Sequence, residues 1–243
     1  MFRHKGKSRT YIHNLKLASM LSLVAGMVNT TGILSVHTLT TNLTGHFAYF
    51  AEDFSVKNYG MALTYLSFVL SFLTGAFVSN LLTEITVRIK PAIGHVLPMF
   101  IEISILITIG LTGDPFLSSA VDSRLMACSL LFAMGVQNAL VTSVSQSVVR
   151  TTHLTGTFTD LGIELSQLFF YRKTNSIHQL TRSIYLKLAI ISCFFFGGIS
   201  AGLMYSTFRL KTLLFASAFL LIAFYYDNMR FRYYRIKRKI QSK

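Results

Sequence analysis

Six residues, Thr40-Thr41-Asn42-Leu43-Thr44-Gly45, recur almost unchanged as Thr151-Thr152-His153-Leu154-Thr155-Gly156, 111 positions later in a chain of 243. Flanking blocks repeat in the same order. Gly26-Met27-Val28-Asn29 precedes the first copy and Gly135-Val136-Gln137-Asn138 the second; Phe72-Leu73-Thr74-Gly75-Ala76 follows the first and Phe194-Phe195-Phe196-Gly197-Gly198 the second. Three ordered blocks mean a duplicated unit, and the fold must accommodate two copies of it.

The solvent for those copies follows from composition. Charged residues make up 13% of the chain against about a quarter in soluble domains, and mean hydropathy is +0.52. Long apolar runs of this kind are transmembrane helices, so the chain reads as an all-α membrane protein. In such a protein a duplication places the binding site where the two halves meet.

The apolar runs fall in the order long, short, long, long, twice over. They are Leu17–Val36, Leu43–Phe54, Tyr59–Val87 and His95–Leu111, then Leu125–Val149, Leu154–Tyr171, Ser183–Ser206 and Leu210–Tyr226. This divides the chain into a basic tail 1–16, a first repeat 17–112, a connecting loop 113–123, a second repeat 124–226 and a basic tail 227–243. The 12 residues of Leu43–Phe54 cover about 18 Å as a helix, little more than half a bilayer core. If the short pieces re-enter, the chain has about six spans plus two re-entrant half-helices, and the halves are inverted. If they cross, it has eight helices and parallel halves.

Charge separates the two topologies. Arg88, Lys90 and His95 lie between the third and fourth runs, and Asp114 and Asp122 between the repeats. Six spans place the basic loop inside and the acidic one outside, as positive-inside bias requires; eight helices reverse this. Both tails fall inside either way. They hold 12 of the 23 Lys and Arg residues and one acid. They flank apolar spans directly, so they read as anchors on anionic lipid headgroups, not as a nucleic-acid surface.

Two sets of residues point to function. The repeated segment supplies Thr40, Thr41, Thr44 and Gly45 with Thr151, Thr152, Thr155 and Gly156, joined by the amides Asn29, Gln137 and Asn138 upstream. A Thr at a helix start can accept from free backbone N–H groups, and Gly lets a backbone or ligand come close. Two such starts would face each other near the bilayer centre and hold a polar or anionic solute. The same residues also suit close helix packing. Glu102, Asp160 and Glu164 form the second set. No Lys or Arg lies centrally in a span to pair with them, so they point to a proton or cation.

Enzyme signatures are lacking: there is no Gly-x-Ser-x-Gly, His-Glu-x-x-His, phosphate-binding loop or Cys-x-x-Cys. Cys128 and Cys193 sit in apolar runs and read as small core residues. No metal or cofactor is expected.

The motifs Met134-Gly135-Val136-Gln137-Asn138 and Thr151 to Gly156, with the earlier Thr44-Gly45, resemble those of the YoaK-like family of uncharacterised bacterial integral membrane proteins. The resemblance runs from about Leu17 to Tyr226. It implies a polytopic protein of the bacterial cytoplasmic (inner) membrane. It supplies no substrate. Two positions depart from the family, which often has Asp in place of Asn29 and Asn in place of His46. The expected activity is therefore small-solute transport or permeation through a polar site between the repeats. The alternative is a non-transporting scaffold or partner subunit.

Overall fold

Eight helices make up the computed structural model, which describes residues 10–89, 94–116, 120–170 and 177–225. They are α1 (Tyr11–Val36), α2 (Leu43–Ser55), α3 (Tyr59–Ile89), α4 (Val96–Phe116), α5 (Ala120–Ser145), α6 (Leu154–Phe170), α7 (Ile177–Phe208) and, after a 3-10 turn at Arg209–Lys211, α8 (212–225). No strand occurs among the described residues.

Among the described residues, five helical stretches are long and apolar enough to cross a membrane; the last, Ile177–Tyr225, contains both α7 and α8. The short helices α2 and α6, with 13 and 17 residues, measure about 20 and 26 Å. Many hydroxyls bond the carbonyl four residues back, as Ser35 does to Thr31 and Thr83 to Ser79. This hides their polarity from an apolar surround. Outward faces are large and apolar: Phe77 is 66% exposed and Leu203 74%. These faces contact lipid.

The most extensive pairings are α1 with α7 and α3 with α5, and each joins one half to the other. Glycine makes both possible. A Cβ at Gly26 would lie 2.0 Å from the Phe194 carbonyl oxygen, and one at Gly197 2.1 Å from that of Leu23. A Cβ at Gly135 would lie 2.2 Å from the Phe72 oxygen, and one at Gly75 2.2 Å from that of Phe132. The second pair of contacts repeats the first, with 109 positions between Gly26 and Gly135 and 122 between Gly75 and Gly197. Such symmetric contacts are those expected of two copies of one unit that exchange the same surface.

Contacts also fix direction. Gln137 of α5 touches Leu21 of α1, and Leu130 lies against Gly32, so the equivalent helices α1 and α5 run antiparallel. The α1–α7 pair is parallel, since Arg182 stacks on Tyr11 near both helix starts while Gly202 meets Thr30 further along. The α3–α5 pair is parallel as well, through Ser67–Cys128 and Asn80–Ser143. It follows that α3 runs opposite to α1. The chain leaves α1 and α5 through left-handed residues at corresponding positions, His37 (φ 51°) and Gln146 (φ 55°). Such residues reverse the backbone sharply. α8 packs along α4 in the opposite sense, through Gly110 with Leu214 and Phe100 with Phe224.

Several expected boundaries shift. α1 begins at Tyr11, inside the stretch read as a tail, with Thr10 N–H bonded to His13 Nδ1 at 3.3 Å. The stretch read as a connecting loop is largely helix, because α4 continues to Phe116 and α5 starts at Ala120. Residues 1–9 and 227–243 of the basic tails, and Lys90, Arg172 and Lys173, lie outside the described residues.

Candidate functional site

The first repeated segment runs back alongside α1 before turning into α2. The Thr40 methyl abuts Gly32; a Cβ there would come within 2.6 Å. One turn deeper, Asn29 Oδ1 accepts from Thr41 N–H (3.2 Å) and Thr41 Oγ1 (3.0 Å). α2 then starts under an asparagine cap, not a threonine one. Asn42 Oδ1 accepts from Gly45 N–H (3.1 Å) and from Thr44 Oγ1 (2.9 Å). This explains Gly45, since a Cβ would crowd the Asn42 amide at 2.9 Å. In the second copy the His153 ring takes the same place over Gly156, 2.2 Å from a Cβ there. The Gly of each motif makes room for its own cap residue.

His46 continues this local scaffold. It is buried at 2% exposure; its Nε2 bonds the Leu39 carbonyl (2.7 Å), so Nε2 carries the hydrogen. Its ring lies against Tyr65 and Phe68 of α3. That contact docks α2 on its own half.

The second segment is held differently. Asn138 is the repeat counterpart of Asn29, but its Oδ1 is buried without a protein partner. Its neighbour Gln137, fully buried, takes over: Nε2 donates to the Leu21 carbonyl (2.9 Å) and Thr151 Oγ1 (3.4 Å). One side chain thus joins α5, α1 and the second motif.

The expected residues therefore divide. Asn29 gathers Thr41, and Gln137 gathers Thr151, at levels eight residues apart on α1, or about 12 Å. The helix starts do not pack on each other: α2 rests mainly on α3 and α6 on α7. Thr44 and Thr155 are exposed and Thr152 is half-buried. Thr40 is fully buried, and its hydroxyl has no protein partner.

The three acids have three different surroundings. Asp160 is exposed on α6. Glu164 meets a cation that the sequence reading missed. Lys187 Nζ lies 2.7 Å from Glu164 Oε1, and Ser183 Oγ bonds both at 2.7 and 2.8 Å. The expectation that Glu164 lacks a basic partner is thus corrected: Lys187, one turn beyond Ser183 on α7, reaches across to α6. Glu102 is 0% exposed, and neither carboxylate oxygen has a protein hydrogen bond.

Apolar helices with outward-facing Phe and Leu, cross-packed between two halves, define a multi-pass integral membrane protein. The chain belongs to the family described as protein of unknown function (DUF1275), whose model matches residues 17–226. That is the stretch over which it resembles the YoaK-like proteins. No curated protein and no solved structure matches it.

Proposed function

We propose that this protein is a small-solute transporter or permease of the bacterial cytoplasmic membrane. In this reading it has six spans and two re-entrant half-helices, with both termini cytoplasmic and bound to anionic headgroups. The antiparallel run of α1 and α5 supports inverted halves, and the opposed directions of α1 and α3 leave α2 no side to cross to. Inverted repeats with broken or short helices are a common transporter plan.

One observation carries the transport reading. The helices that join the halves bury Gln137, Thr151, Thr40 and Glu102, and oxygens on Gln137, Thr40 and Glu102 lack protein partners, as do the hydroxyls of Ser22 and Thr31 on α1. Buried polar groups without partners are costly, and within a membrane they mark a solute or ion path. Thr40, Thr41, Asn29, Gln137, Asn138, Thr151 and Thr152 are the proposed solute contacts. Glu102 is the proposed coupling residue for a proton or cation. Asp160 is a weaker candidate, and Glu164 has its own cation. The reading is of a carrier, not an enzyme.

The scaffold reading draws on a different observation: the Asn42–Gly45 and Asn29–Thr41 bonds satisfy much of the first copy of the motif internally. A thermal-shift screen of purified protein against metabolites and ions separates the two. A ligand that binds only the folded state raises its apparent stability, and Gln137→Leu should abolish that rise. Stabilisation by no solute or ion would favour the scaffold.

A further inference from the structure

Gln137 has its amide orientation fixed by chemistry. The Leu21 carbonyl can only accept, so the nitrogen of Gln137 must face it, at 2.9 Å. Oε1 is thereby left as a bare acceptor, buried without a protein partner. What it lacks is a donor.

Helix register points to one. Gly113 near the end of α4 abuts Met126 near the start of α5, and the two helices, consecutive and packed along each other, therefore run antiparallel. Eleven residues back along α4 is Glu102; eleven forward along α5 is Gln137. Eleven residues are close to three turns at about 3.6 per turn, so both return to the facing side at one height. Both are fully buried, and both have unpartnered oxygens. An ionised carboxylate offers only acceptors to an acceptor. A protonated one has a single O–H to give, and Gln137 Oε1 is free to take it.

We propose that Glu102 is a proton-binding residue whose carboxyl, when protonated, donates to Gln137 Oε1. Loading the proton ties α4 of the first half to the residue that holds Leu21 and Thr151. Releasing it leaves an ionised carboxylate beside an acceptor, and the contact between the halves is lost. This rests on the transport reading only for what the proton drives; the site itself stands without it.

Other charged groups are placed away from Glu102. Glu84 and Arg88 are exposed near the end of α3, and Arg124 is exposed near the start of α5. Arg209 and Lys211 lie at the far end of α4, where Leu210 meets Gly113. Tyr225 of α8 is 65% exposed. On α4 itself His95 is two turns away, and on α1 Lys16 is more than one turn from Leu21.

The test is infrared difference spectroscopy on the full chain in lipid nanodiscs, comparing wild type with Glu102→Gln and Gln137→Leu. A protonated carboxyl band should be present in wild type at neutral pH and lost in Glu102→Gln. In Gln137→Leu, which keeps Glu102, it should shift to higher frequency as the hydrogen bond is lost. A wild-type spectrum without a Glu102 band, together with sodium-dependent thermal stabilisation lost in Glu102→Gln, would replace the proton with a metal cation. A band insensitive to Gln137→Leu would overturn the pairing. These spectra do not depend on transport, so a protein with the band and no uptake would refute the transport reading alone.

Discussion

Gly26 of α1 lies so close to Phe194 of α7 that a Cβ would sit 2.0 Å from its carbonyl oxygen, and Gly135 stands in the same relation to Phe72. The obstacle in each case is backbone, which cannot rotate away as a side chain can. Gly26→Ala and Gly135→Ala should each destabilise by at least about 1–3 kcal/mol, the usual range for overpacking. Gly162→Ala on α6, with nothing within 4 Å, should be neutral or stabilise by up to about 1 kcal/mol, because alanine suits a helix better. Thermal unfolding in detergent, ranked across the three variants, provides the check.

Asn29 works as an acceptor, since its Oδ1 receives both bonds from Thr41. Asn29→Asp keeps that oxygen and should be tolerated, in keeping with the Asp often found at this position in YoaK-like proteins. Asn29→Leu strands the Thr41 N–H and should cost about 1–3 kcal/mol. Protease cleavage between His37 and Asn42 should quicken in the leucine variant only.

Lys187 and Glu164 hold α6 against α7 at 2.7 Å while each remains less than a fifth exposed. Lys187→Met leaves a half-buried carboxylate with Ser183 alone and should destabilise by about 1–3 kcal/mol. Adding Glu164→Leu removes the orphaned charge and should recover most of the loss. A double-mutant cycle by thermal unfolding measures the coupling; additive losses would show that the pair contributes little.

Short range explains what was legible in the sequence. The start of α2 at Leu43 and of α6 at Leu154 could be placed because polar residues give way abruptly to apolar ones. The repeated glycines were legible as marks of duplication, but that Gly26, Gly75, Gly135 and Gly197 form the contacts between the halves emerged only from the packing. Three things were hidden. Tyr11 to Lys16 is too polar to read as part of a span, yet it extends α1 beyond the apolar core. Gly113, Asp114 and Pro115 carry turn chemistry but lie in the last turns of α4. The Lys187–Glu164 pair joins residues 23 apart on two helices, so only the packing of α6 on α7 brings them together. The motif itself was read as threonine chemistry; the side chain that caps α2 is instead its variable third residue, Asn42, whose place before α6 is taken by His153.

In the proposed topology the halves are inverted because α2 turns back without crossing. His37 and Val56 flank α2 and its lead-in, and both are exposed. Single cysteines, His37→Cys and Val56→Cys, placed in a Cys128→Ala, Cys193→Ala background, would be exposed to an impermeant thiol reagent on intact cells. Both should be labelled, since both lie on the outer face when the termini are cytoplasmic. Labelling of one with protection of the other, reversed in inside-out vesicles, would mean that α2 crosses the membrane and would contradict the inverted fold.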